Sequence, residues 1–359
     1  ANSDGAVSFD GLHLENINVY GGTMTGGAIG YIDGYDKKAR NVSFTNWTIQ
    51  NENVTNWVNN DGSTGGLVGW NISYGILSIT GNGNSSVKDV DRLSVTTYAE
   101  SFYTAASGGL VGVNDFSSVN VENVNAQNLS VSGKNLRDIG GLLAAGRRAG
   151  TGTFKVNKCS LASMKITLEI NSNQKSSSAC TGGIIGYHER PLTISEVVIT
   201  SDSVINGQQF TGGFVGYSAV DVTIRDSSEV NLNIKTDMNW IGGFIGYVNP
   251  NRTATFQNCQ EKNVNILGRY TGGLVGAMDG SIQASNMEFY NVTGVTYNKD
   301  NGYAALLVGN AENTPNKYSN KVNGYNLLAK NCKFGYNNKA KIDELSNASI
   351  QTINTSGFC

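Results

Sequence analysis

The chain carries few residues of the kind that do chemistry. Its 359 residues include two histidines, His13 and His188, five cysteines and only 15% charged residues. The most insistent motif is TGGFVGY (211–217), which returns as TGGIIGY (181–187), IGGFIGY (241–247) and TGGLVGA (271–277). Such a phrase cradles phosphate when it opens a helix and is followed by Lys-Ser/Thr, because backbone N–H groups then converge on the anion. No copy has that context, so the phrase is read as structural and no cofactor is expected. Two carboxylates, Glu196 and Asp226, lie 30 residues apart. Stacked one turn above the other, they would match the acid–nucleophile spacing of a retaining glycosidase. Neither a third acid nor a histidine clusters with them, and the competing reading is two solvated corner residues. No catalytic residue is assigned.

The repetition itself says what must position any site. Numbered by the last glycine, the copies fall at Gly30, Gly69, Gly112, Ala144 (standing in for glycine), Gly186, Gly216, Gly246, Gly276 and Gly309. Self-similarity at a fixed period of this length marks a solenoid or an array. Inside the unit the period is two. In AVDVTIRDSSEVNLNIK (219–235), Val222 and Ile224 alternate with polar neighbours, and after DSS so do Val230, Leu232 and Ile234. That reads as two short strands joined by a corner, with GGFVGY as a third. The expected fold is all-β: a single parallel β-solenoid with about 30 residues per three-sided coil and roughly 9–11 coils, stacked at strand spacing. Residues 1–312 hold the repeats, and 313–359 form irregular C-terminal coils or a cap of the same domain, with KIDEL (341–345) as a short helical turn. Glycine serves the corners by accepting positive φ and by letting backbones approach closely.

Composition agrees. The chain has 45 Gly and 3 Pro, with hydrophobic residues at 39%, enough for a long thin core. A net charge of −2 and the lack of a basic run beyond Arg147-Arg148 argue against a nucleic-acid partner. No apolar stretch is long enough to span a membrane as a helix. The opening ANSDGAVSFDG, without Met or a leader, is consistent with a secreted chain whose signal is removed, and equally with a trimmed one.

TGGLVG followed by alternating apolar residues and Asn-Cys or Asn-x-x at a strand end (TATFQNCQ, 253–260; LLAKNCKF, 327–334) resembles the GLUG-type repeats of secreted and surface β-solenoid proteins. These occur in bacteria, including regions flanking immunoglobulin-A peptidases, and in similar protist proteins. The resemblance covers nearly the whole chain and implies a β-solenoid stalk or adhesive surface. It supplies no catalytic residues.

Stacking the units suggests candidate faces. Tyr187, Tyr217 and Tyr247 follow the last glycine in successive coils, with Tyr31 and Trp70 at the same position lower down. They form a candidate carbohydrate face, or else a ladder that only covers the corner. Thr193, Thr223 and Thr253 form a hydroxyl row of the kind a flat ice-binding face would need, and the same superposition puts Phe256 above Asp226. Cys159–Cys180 and Cys332–Cys359 are the disulfides that sequence separation allows, leaving Cys259 buried and free or bound to another chain. No Cys/His spacing suggests zinc. Asn-x-Ser/Thr sites occur at Asn41, Asn46, Asn53, Asn71, Asn84, Asn128, Asn251, Asn291, Asn347 and Asn354, candidates for N-glycosylation, although composition alone would supply about eight.

These features point to a non-catalytic extracellular or cell-surface structural protein: a stalk, adhesin or fibre subunit joined head to tail through open solenoid ends. Partners would be further copies or other surface proteins, with glycans as a further class. The alternative is a carbohydrate-binding or polysaccharide-degrading β-helix, and a third reading is ice binding.

Overall fold

The computed structural model describes residues 6–34, 36–59, 61–84, 86–101, 104–148, 152–171, 178–297, 302–311, 321–336, 341–342 and 355–356. Its strands form three stacked sheets: one long sheet of 25 strands and two short sheets of nine. This is a three-sided parallel β-solenoid. Every copy of the glycine phrase contributes one strand to each short sheet, so nine motif copies make nine complete coils. The 30-residue step is visible in Phe210, Trp240 and Tyr270, which pair in direct succession. Asn249–Arg252 and the segments near 81–89 and 145–152 lengthen other turns without breaking the register of the sheets.

Each coil begins on the long sheet. Its first run, for example Val222–Arg225, points Val222 and Ile224 inward. The rows they belong to stack coil on coil, as in Phe44, Ile79, Val121, Val156, Ile194, Ile224 and Phe256, all buried. Fully burying one such side chain stabilises by about 1.5–3 kcal/mol, and the row repeats that gain every coil. The chain then turns through a left-handed residue (Asp226, φ 51) into a second run, Ser228–Thr236. That run contains another left-handed residue, Asn231 (φ 56). The extra residue shifts the alternation. Glu229 is therefore buried and Val230 faces outward, whereas simple alternation puts Val230 inside; Leu232 and Ile234 are inside as expected.

The left-handed positions stack into two ladders, dominated by asparagine: Asn46, Asn123, Asp226, Asn258, Asn286 and Asn326 along one line, and Asn16, Asn51, Asn128, Asn231, Asn263, Asn291 and Asn331 along the other. Asn tolerates this conformation better than most residues. Its side chain then donates to the one a coil below: Asn258 to Asp226 at 2.9 Å, Asn286 to Asn258 and Asn326 to Asn286 at 2.8 Å, Asn263 to Asn231 at 2.9 Å and Asn291 to Asn263 at 2.8 Å.

Of the two roles expected of the glycine phrase, close approach is the one it serves. Among the described residues, the only glycines with positive φ are Gly11, Gly83 and Gly335, none of them in the motif. What the motif needs is room. The two short sheets pack backbone against backbone. A Cβ on Gly242 would come within 2.6 Å of Gly276 N, and one on Gly246 within 2.6 Å of Thr211 N. The middle glycine, Gly243, faces the interior against the Gly273 carbonyl and the Glu261 carboxyl.

The ends differ. In the first coil, Met24–Gly26 and Ile29–Ile32 each terminate a short sheet. At the other end the long sheet continues through Lys321–Lys330 and Cys332–Tyr336 in parallel register. Two antiparallel strands follow: Lys341–Ile342 on Cys332–Lys333, and Thr355–Ser356 on Lys321–Val322. Lys341–Ile342 is thus strand, because it finds an open edge to pair with; the rest of KIDEL lies outside the described residues.

Candidate binding faces and buried carboxyls

The structure brings the carboxylate pair together on the surface, one coil apart. Glu196 and Asp226 stack as exposed left-handed corner residues. Asp226 accepts from Asn258 and from Arg225 (3.1 Å). The residue above Asp226 is Asn258 and not Phe256, since the turn at 249–252 adds two residues to that coil. The same two residues correct the hydroxyl row. Thr193 pairs with Thr223, and Thr223 with Thr255, not Thr253; the row continues as Lys155 below and Gln283 above. It is no continuous threonine face.

Tyr187, Tyr217 and Tyr247 pair in succession on the second short sheet, with ring centroids 5.4 and 5.0 Å apart. They are half-buried and occupied. Phe210 packs edge-on to Tyr217 at 4.9 Å, and the guanidinium of Arg137 lies 4.9 Å from the centre of the Tyr187 ring. The hydroxyls donate to Glu189, Asn249 and Asp279. Phe210, Trp240, Tyr270 and Tyr303 make a parallel stack on the first short sheet. These rings pack over the glycine corner, and the three tyrosines of the candidate carbohydrate face are half-buried there.

A more exposed aromatic group lies on the second run of the long sheet in the first coils. Trp57 is 62% exposed and stacks on Tyr98 at 4.3 Å; Tyr20, two rows away in the coil below, is 74% exposed. Sequence reading missed these three because they sit at no recurring motif position. The signal was their outward phase in alternating strands.

A second missed group is internal. Glu52, Glu229 and Glu261 are buried, and their carboxyl oxygens have no hydrogen-bond partner among the described residues. Each lies against the middle glycine of the phrase, at Gly27, Gly213 and Gly243. In other coils that place is taken by Leu93, Leu129, Met164 or Ile199. Burial pushes Glu52 up to about 8. It pushes Glu229 and Glu261, stacked one coil apart, well above the carboxylate range, and for Glu229 the neighbouring Glu261 adds to the effect. All three are read as protonated packing groups.

Arg190, fully buried, fastens the corner of the longest turns. Its guanidinium donates to the carbonyls of Asn114 (2.8 Å), Arg147 (3.2 Å) and Ser117, which belong to other coils, and lies 4.4 Å from the centre of the Phe154 ring. His188 beneath it is held neutral, burial pushing it down to about 4.

Cys159, Cys180, Cys259 and Cys332 are free and buried. The expected Cys159–Cys180 bridge is absent because the two lie on different sides of the coil: Cys159 at a long-sheet corner, Cys180 in the first short sheet between Asp138 and Phe210. Each thiol donates to the carbonyl two residues back, Cys159 to Asn157 at 3.2 Å and Cys180 to Ser178 at 3.3 Å. Cys332 is unbridged, and Cys359 lies outside the described residues. Cys259 is buried and free as expected, its thiol pushed up to about 11 by burial.

Of the glycosylation candidates, Asn71 is excluded: it is 1% exposed and donates to Asn114 and Ser117, both at 2.8 Å. Asn41, Asn46, Asn53, Asn84, Asn128, Asn251 and Asn291 are exposed. The amides of Asn46, Asn53 and Asn291 are engaged with the coil below, through Asp10, Asn18 and Asn263. A glycan there would replace a ladder bond. Asn347 and Asn354 lie outside the described residues.

Among the described residues no three His, Cys, Asp or Glu side chains gather as a metal site, and no helix is long and apolar enough to cross a membrane. The chain matches no protein-family model, no curated protein and no solved structure. The class is defined by architecture: a three-sided parallel β-solenoid.

Proposed function

We propose that this is a non-catalytic extracellular structural protein, a rigid cell-surface stalk, adhesin or fibre subunit. The observation that supports this most is mechanical. Long-sheet register runs from Val7–Asp10 to Cys332–Tyr336, with side-chain ladders inside and outside, so bending any one coil breaks several stacks at once. Nine coils at strand spacing make a rod about 43 Å long. The motif resemblance to GLUG-type surface repeats and the exposed Asn-x-Ser/Thr sites favour a surface location. Assembly would use the first coil, where Phe9 stacks on Phe44 at 4.9 Å and stays half-buried, as a core residue does at an incomplete end. Antiparallel strands lie over the long sheet at the other end. A head-to-tail joint would therefore seat the first coil on Tyr303–Ala305 and Val308–Ala311, the last strands of the short sheets.

Electron microscopy with analytical ultracentrifugation of the full chain tests this. Expected are end-to-end rods whose lengths are multiples of one molecule, shortened to single rods by Ser8→Pro, which removes an N–H and stiffens the first edge strand. Single rods at every concentration would overturn the assembly, and turnover of a polysaccharide would overturn the non-catalytic reading.

A further inference from the structure

We propose that Trp57, Tyr98 and Tyr20 form a binding platform for an uncharged polysaccharide lying along the solenoid axis over the first coils.

The argument begins with a missing side chain. In the second run of the long sheet, Asn18 to Gly21 pair with Asn53 to Asn56. One residue further on, Gly22 lies below Trp57. Tyr98 pairs with Trp57 from the other side and stacks on one face of its ring. The opposite face looks over Gly22, where a Cβ would meet nothing nearer than Trp57 O at 3.9 Å. The aromatic column is thus interrupted by one strand spacing, and a large ring face is left open. In the Phe210, Trp240, Tyr270 and Tyr303 stack, by contrast, the rings follow one another coil by coil without a glycine gap. An aromatic face is negative at its centre and takes the weakly positive C–H face of a pyranose.

What surrounds the opening suits hydroxyl groups. Thr55, Thr96 and Ser132 follow Tyr20 in one outward row, Thr96 and Ser132 within 2.9 Å of each other. The next row is Asn18 and Asn53, bonded at 3.0 Å. Beyond the rings lies a cleft lined by Trp57, Asn59, Tyr98, Glu100, Lys134 and Asn171. Its one cation and one anion leave no net charge to select an ionic ligand. A nucleic acid, which also stacks on such rings, would need a basic surround. The rows advance at strand spacing, so a sugar chain running across coils meets repeated donors and acceptors as it goes. The platform is independent of how the rod ends associate.

The test uses the full chain with soluble β-1,4-linked oligosaccharides of glucose, N-acetylglucosamine and mannose, read by titration calorimetry and tryptophan fluorescence. At least one should bind saturably, with affinity reduced ~10-fold or more by Trp57→Ala. Gly22→Tyr is the sharper variant. Gly22 does not adopt positive φ and its Cβ direction is open, so the added ring completes the stack and blocks the face without disturbing the fold. It should abolish binding, with circular dichroism and thermal melting unchanged. Absence of binding by all three probes overturns the proposal. So does binding that survives Gly22→Tyr, or a dimer in ultracentrifugation that dissociates on Trp57→Ala, which would make the platform a contact between copies.

Discussion

The solenoid turns its corners in two ways, and the two obey different rules. At the glycine corner the backbone is ordinary and the space is not. Two sheets press together so closely that Gly242, Gly243 and Gly246 have backbone or buried side chains where a Cβ would go. On the long sheet the space is ordinary and the backbone is not: Asn, Asp, Lys, Ser, Glu and Arg all occupy left-handed positions facing solvent. A corner defined by volume admits little beyond glycine, with alanine as its substitute at Ala144 and Ala305, whereas one defined by dihedral angle tolerates several residue types at modest energetic penalty. That is why the glycine phrase recurs almost letter for letter while the other corners vary.

The contrast breaks most visibly if glycine is replaced on each side. Gly243→Val should cost on the order of 5 kcal/mol, because its side chain would overlap the Gly273 carbonyl and the Glu261 carboxyl, and backbone cannot step aside without unpairing the next coil. Gly11→Asn, at φ 70 with open space around it, should change stability by no more than a few tenths. Urea unfolding midpoints compare the two directly. Equal losses would mean that both corners are set by conformation.

The glycine corner also creates the pocket that three glutamates fill, and this sharpens the comparison through pH. Burial keeps Glu52 protonated in the fold up to about pH 8, while in the unfolded chain it ionises near 4.5. Between those values the unfolded chain has released a proton that the folded chain retains. The contribution of Glu52 to stability is therefore greatest below about 4.5, falls as pH rises, and levels off above about 8. Glu52→Gln should remove about 1.4 kcal/mol per pH unit of that slope and raise stability at pH 7 by on the order of 3 kcal/mol. Denaturant midpoints across pH 4–9 check it; an unchanged slope would place an ion or water beside the carboxyl.

How much of this was legible follows from the same division. Volume constraints leave a sequence signature: nine glycine phrases gave nine coils in correct register, and parallel three-sided stacking followed. Dihedral constraints do not. Asn231 inserts a left-handed residue inside what reads as one alternating strand, so Val230, which simple alternation puts inside, faces outward and Glu229 takes the interior place. Two extra residues at 249–252 moved Thr255 and Asn258 into places that simple superposition gave to Thr253 and Phe256. Cysteine pairs judged by separation along the chain ignored which side of the coil each faces. The open Trp57 face depends on a glycine 35 residues earlier, visible only once register is fixed.

The asparagine ladders give the smallest and most discriminating effect. Asn263 holds φ 55, donates to Asn231 and accepts from Asn291. Asn263→Ala removes both bonds and places a residue that disfavours left-handed backbone, for a loss of about 1–2 kcal/mol. Asn263→Gly keeps the conformation and loses only the bonds, which are solvent-exposed, so it should cost about half as much. Asn263→Asp retains the acceptor for Asn291 and faces the Asn231 acceptor without a donor, so it should fall between the two. If Gly proves no better than Ala, the ladder bonds rather than the left-handed turn hold that corner, and its likeness to the glycine corner, where contact decides, would be closer than the dihedral angles suggest.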